Sequence, residues 1–288
     1  MFARRALRAA APAFAAGAAA CGATTAWLAD EADAGMFVVR PGLSASEYKP
    51  LVVGGVRQHT DGTTRVRFVM EEPDLELGAV AAAHLMAKAS IDGAEVAGRV
   101  APVSPLTAKG YFELAAAAAG DSAMSKAISS LKTGDVVQFK GPVQGFQVGR
   151  NQFKSVGILA RGDGIADALQ VATKLLSDPR DDTEIRLVYS VRSADQIVLR
   201  NHIDALALLH PRFKALIVAD EAAPQWTGPT GPLSKPLLAS ILPPPTEGDS
   251  TVILVAGDVD AASGKATKAR AAGVLGAMQY SPAQVRSL

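Results

Sequence analysis

The run Arg161-Gly162-Asp163-Gly164-Ile165-Ala166-Asp167 lies between a short apolar stretch, Val156–Ala160, and an amphipathic one, Ile165–Leu176. A glycine turn leading from a strand into a helix leaves free amides and a partial positive charge at the helix start. That is the chemistry of a phosphate cradle. Asp163 and Asp167 work against it, because two carboxylates there cap the helix themselves and repel a phosphate. Arg161 offsets part of that charge or pairs with one of the two. Other chemistry is sparse. Cys21 is the single cysteine, so neither an internal disulfide nor a thiolate metal cluster forms. His59, His84, His202 and His210 do not fall at metal-ligand spacings, so no metal is expected, and no catalytic residue is assigned.

These groups must be positioned by a chain of 288 residues, long enough for two domains, with 49% hydrophobic residues to fill their cores. The formal net charge is +1, and there is no basic stripe with interleaved aromatics, so nucleic acid is not an expected partner. Residues 48–150 carry short apolar runs (Leu51–Val56, Thr64–Met70, Tyr111–Leu114, Val136–Phe139) separated by turns such as Asp61-Gly62 and Lys132-Thr133-Gly134-Asp135. This predicts an antiparallel β-barrel with one helix, over Ser122–Leu131. Residues 151–288 alternate. Strands are predicted at Val156–Ala160, Ile185–Ser190, Phe213–Ala219 and Val252–Val255, and helices at Ile165–Leu176, Ala194–His210, Leu233–Leu242 and Ser263–Leu275. That rhythm predicts a parallel sheet with helices on both faces, an α/β domain after an all-β one.

Ahead of both domains, Arg4, Arg5 and Arg8 precede 21 uncharged residues, Ala9–Ala29, and residues 31–47 read as a linker. As a helix at ~1.5 Å per residue the uncharged run spans about 31 Å, the thickness of a bilayer core. An arginine-rich, acid-free start also describes a mitochondrial transit peptide. Residues 1–30 are therefore expected to be a membrane or targeting helix. Its small residues Ala13, Gly17, Ala18, Cys21 and Gly22 suit packing against other helices, with lipid contact through residues 9–29.

Several phrases then combine. Ile91-Asp92-Gly93 leads to Pro102-Val103-Ser104, and Lys109-Gly110-Tyr111-Phe112-Glu113-Leu114 follows. Met124-Ser125 precedes Ser130-Leu131-Lys132-Thr133-Gly134-Asp135 and Phe139-Lys140-Gly141-Pro142. Ile197-Val198-Leu199-Arg200, His210-Pro211-Arg212-Phe213-Lys214 and Gln279-Tyr280-Ser281-Pro282 complete the set. With these phrases the chain resembles the NADH–cytochrome b5 reductase family of the ferredoxin-reductase superfamily, from about Tyr48 to Leu288. The resemblance implies a flavin domain, a nicotinamide-nucleotide domain, and hydride transfer from NADH to FAD.

The family's binding phrases are altered here. Its flavin motif, Arg-x-Tyr-Thr/Ser, falls on Gly98, Val100 and Ala101, with Arg99 one position off and so turned to the other strand face. A flavin strand bearing lysine and an aromatic falls on Ala115–Ala119. A Gly-x-x-Ser helix start falls on Ser122-Ala123-Met124-Ser125, where Ser125 reads first as a helix cap. The Gly-Gly-Thr-Gly-Ile-Thr-Pro nucleotide loop falls on 161–167, and Cys-Gly-Pro-Pro falls on Ala256-Gly257-Asp258-Val259. Pro102, Val103, Ser104, Met124 and Ser125 are thus vestigial FAD positions, and Gly162, Gly164 and Gly257 vestigial NAD positions. The expectation is a catalytically inactive reductase-like protein with no cofactor. It would serve as an accessory subunit of a mitochondrial inner-membrane complex (a respiratory complex or the ATP synthase), with the other subunits as partners. The alternative is an active membrane-anchored reductase using FAD and NADH.

Overall fold

The computed structural model describes residues 40–288 apart from 92, 118, 119, 121, 144 and 258–272. The expected N-terminal helix, Asp258-Val259 and most of the expected helix Ser263–Leu275 lie outside the described residues. Among the described residues no helix is long and apolar enough to cross a membrane.

The first half is a curled antiparallel sheet of β1 (Lys49–Gln58), β2 (Thr63–Val69), β3 (His84–Ile91), β4 (Ala94–Val100), β5 (Tyr111–Ala117) and β6 (Val136–Val143), in the order β4-β3-β6-β1-β2-β5. Period-2 alternation builds it. Along β2, Val66 and Phe68 are buried while Arg67 and Val69 are exposed. Phe68, Phe112 and Phe139 meet at its centre with ring centroids 4.7–5.4 Å apart. One helix, α1 (Ala123–Ser130), closes the open side against β4 and β5.

The second half is a parallel sheet of β7 (Ser155–Arg161), β8 (Glu184–Val191), β9 (Phe213–Ala219), β10 (Thr251–Ala256) and β11 (Val285–Ser287), ordered β11-β10-β7-β8-β9. Its central strands are apolar on both sides because both are covered. Val156, Ile158 and Ala160 pack with α2 (Ile165–Leu176) and α3 (Arg200–Leu209). Leu159, Val188 and Ile253 face α4 (Lys235–Ala239) and Leu275.

The predicted helix Ala194–His210 is shorter than expected. Leu199 takes a left-handed conformation at φ 60°, and its amide donates to Thr63 Oγ1 across the two halves at 2.9 Å. That contact breaks the run, leaves a short 3-10 turn at Ala194–Gln196, and starts α3 at Arg200.

Candidate functional site

Two helix starts face one cleft between the halves. On the barrel side, Ser122 caps α1, its hydroxyl accepting from the Ser125 amide at 2.9 Å. The cap expected of Ser125 therefore belongs to Ser122, three residues earlier. Ser125 is left with its hydroxyl fully buried and unpartnered. Such a group costs about 1–3 kcal/mol when nothing bonds it. Gly120 lies against it: a Cβ there would come within 2.3 Å of Ser125 Oγ. Met124, the neighbouring vestigial position, packs on Gly98, where an added Cβ would stand 3.4 Å from Met124 Cβ and 3.5 Å from its Cε.

The segment after β4 is tied to both halves. Val103 donates its amide to the Glu113 carbonyl at 2.8 Å, and Ser104 Oγ accepts from the Glu113 amide at 3.1 Å. The Pro102 carbonyl accepts from Gln170 Nε2 of α2 at 2.6 Å. Ala117 and Ala115, on the alanine-rich strand, pack into the core of the α/β half. Small side chains there let the two halves touch directly.

On the α/β side, β7 runs through Gly162 (φ 49°) and Gly164 into α2. Gly164 and Gly257 form a close backbone contact. A Cβ on Gly164 would lie 2.3 Å from the Gly257 nitrogen, and Gly257 itself is at φ 83°. Only glycine fits at either place. The expected capping by the aspartates does not occur: α2 has no side-chain cap. Asp163 instead accepts from Ser122 Oγ across the cleft at 2.6 Å, and Asp167 pairs with Arg99 Nη2 at 2.9 Å. Arg161 pairs with neither. It bonds Ser190 Oγ at 2.8 Å and Asp220 Oδ2 at 2.5 Å, at the carboxyl edge of the parallel sheet.

Arg99 does face away from the barrel interior, and its target could not be read from the sequence. It spans from β4 to α2 and also donates from Nη1 to the Leu288 backbone oxygen at 3.1 Å. The Asp167 side chain is 6% exposed, and its Oδ1 has no partner. Burial pushes its carboxyl up to about 6, against the downward pull of Arg99. His84, whose Nδ1 is also buried and unpartnered, is held below its ordinary pKa, by burial first and by Arg99 second.

Comparison with known proteins bears on these sites. A profile described as oxidoreductase FAD-binding domain matches residues 52–148, and one described as oxidoreductase NAD-binding domain matches 158–263. An NADH-cytochrome b5 reductase-like protein of Arabidopsis thaliana is 37% identical over 65% of this chain, which spans 58% of that relative's length. NADH-cytochrome b5 reductase 1 of Dictyostelium discoideum is 35% identical over 67% of this chain and 68% of the relative. In fold, the cytochrome b5 reductase domain of Ulva prolifera nitrate reductase superposes with a TM-score of 0.75 at 23% identity, covering 86% of this chain and 100% of that one. A ferredoxin NADP+ reductase of Neisseria gonorrhoeae, solved with FAD and NADP, superposes at 0.62 and 19% identity, over 84% of this chain and 98% of that one.

The expectation of no cofactor is therefore corrected. Both cofactor-domain profiles match, and the relatives are reductases, which points to FAD and NAD(H). The expectation counted side chains, whereas phosphate cradles are built largely from backbone amides. The local chemistry fits the phosphate ends of these groups. Ser125 supplies an unused buried hydroxyl at a helix start, and the Gly162–Gly164 turn keeps its tight path beside Gly257.

Proposed function

The chain belongs to the NADH–cytochrome b5 reductase family, and from that premise we propose that it retains recognition of FAD and NAD(H) but not efficient hydride transfer between them. We further propose that it acts as an accessory component of a mitochondrial inner-membrane assembly. Bound FAD would supply a two-electron acceptor that releases electrons singly. Ser125 and the α1 amides would hold its phosphate end, and the Gly162–Gly164 turn would hold the dinucleotide. Val100 and Ala101 offer no aromatic face and no hydroxyl to orient a ring. Positional error of this kind is expensive in rate, because transfer needs reacting atoms about 3–3.5 Å apart.

The observation that carries this reading is the Met124–Gly98 contact. Position 98 carries no side chain to reach a phosphate, Met124 packs against it, and the neighbouring Arg99 guanidinium is committed to Asp167. The membrane part rests on Arg4, Arg5, Arg8 and the uncharged run 9–29. A second reading, an active membrane-anchored NADH–cytochrome b5 reductase using FAD, is favoured by the paired domain matches and by the waiting hydroxyl of Ser125.

Full-length protein supplied with FAD, then mixed anaerobically with NADH, separates the two. A flavin band that dithionite bleaches and NADH leaves intact supports the first reading. Rapid bleaching by NADH with ferricyanide turnover establishes the second. For the assembly role, native electrophoresis of mitochondrial membranes should place the chain in a large complex. Recovery solely as a free monomer would remove that role.

A further inference from the structure

Three polar contacts cross the same cleft, and all end within residues 163–170. They are Ser122 Oγ to Asp163 at 2.6 Å, Pro102 O to Gln170 at 2.6 Å, and Arg99 to Asp167 at 2.9 Å. The third differs from the others. It sets a guanidinium against a carboxylate that is 94% covered, and Arg99 adds a second bond to the Leu288 backbone oxygen. A planar fork with two acceptors on different segments fastens both to its own strand. Without Arg99, a charged Asp167 would sit buried with no cation, a state that solvation of the open cleft relieves. Position 99 is two residues after Ala97 and next to Gly98, on the outward face of β4, so nothing in the barrel core requires a cation there.

We infer that Arg99 is an internal bolt: by clasping Asp167 and the Leu288 backbone, it holds the cleft shut against a nicotinamide dinucleotide, which must displace it to reach the Gly162–Gly164 turn. This rests on the reading of that turn as the dinucleotide cradle. The bolt itself needs no cofactor to be observed.

The test uses the full-length chain as wild type, Arg99→Met and Arg99→Lys. Arg99→Met keeps the apolar stem and loses the charge. Arg99→Lys keeps the charge and loses the fork. Amide hydrogen exchange is measured at pH 7 without cofactor, and NADH affinity by calorimetry. Arg99→Met is expected to speed exchange about tenfold within 163–170, with Arg99→Lys in between, and Arg99→Met combined with Asp167→Asn, which leaves no bare carboxylate, to tighten NADH by a similar factor. Equal exchange in all three proteins overturns the bolt. So does an acceleration that extends equally through β2 and β6, which marks general loosening, and so does local opening with NADH affinity unchanged in the double variant. If the wild-type flavin proves reducible by NADH, the preceding functional reading fails, while the bolt is judged separately, on exchange and NADH affinity.

Discussion

The helix starts of α1 and α2 face the same cleft and have gone opposite ways. At α1 the cap is in place and a buried hydroxyl, that of Ser125, has no partner. At α2 the cap is missing, and the positive end meets two carboxylates already engaged by the other half. The first is a site with an unused group. The second is a site that has turned its own charges inward. A phosphate arriving at α1 finds a donor, whereas one arriving at α2 must first displace Arg99 or face Asp163 and Asp167. Family membership alone does not imply equal competence at both ends.

Removing the cation tests the α2 side first. Arg99→Met should destabilise the fold by about 1 kcal/mol at pH 7, as a covered carboxylate loses its partner. Arg99 is 37% exposed, so solvent screens the pair and keeps the loss below that of a fully buried one. The deficit should shrink at pH 5, where Asp167 takes up a proton. Urea unfolding at both pH values reads it, and an equal loss at each would break the assignment.

Asp167 should also leave a signature in wild-type stability. Its folded-state pKa, about 6, lies above the ordinary 3.8, so the folded protein binds more protons between those values. Stability from this group is therefore fullest below about pH 4 and is lost as pH rises through 6. Asp167→Asn should flatten that segment and gain about 2 kcal/mol at pH 7. Parallel pH profiles for the two proteins would show that the carboxyl is not held in this way.

On the α1 side the effects are no larger. Ser122→Ala removes both the cap and the bond to Asp163, and should cost about 1 kcal/mol in thermal unfolding. Ser125→Ala should do the reverse and raise stability by up to about 1 kcal/mol, because the hydroxyl is buried without a partner. It should also weaken FAD binding several-fold by fluorescence titration. A Ser125→Ala protein that is less stable and binds FAD as before would cancel the contrast between the two helix starts.

What the sequence disclosed follows from the range of the forces involved. The helix Ile165–Leu176 and the strand Phe213–Ala219 stand where periodicity placed them, because their apolar patterns begin and end within their own lengths. The break before α3 was hidden, since it depends on Thr63, 136 residues away. Ser122 and Ser125 both suit a cap, and only the backbone geometry distinguishes them. The outward turn of Arg99 was legible from strand alternation, but its destination on α2 was not. The cofactor expectation failed for a related reason: missing side chains are visible in a sequence, while amides that every residue carries are not.

The most direct measurement is the anaerobic titration of FAD-loaded, full-length protein with NADH, with dithionite as the reference for complete reduction. The expected result is bound flavin whose visible band persists under excess NADH. Stoichiometric reduction by NADH at the rate of a working reductase would contradict it.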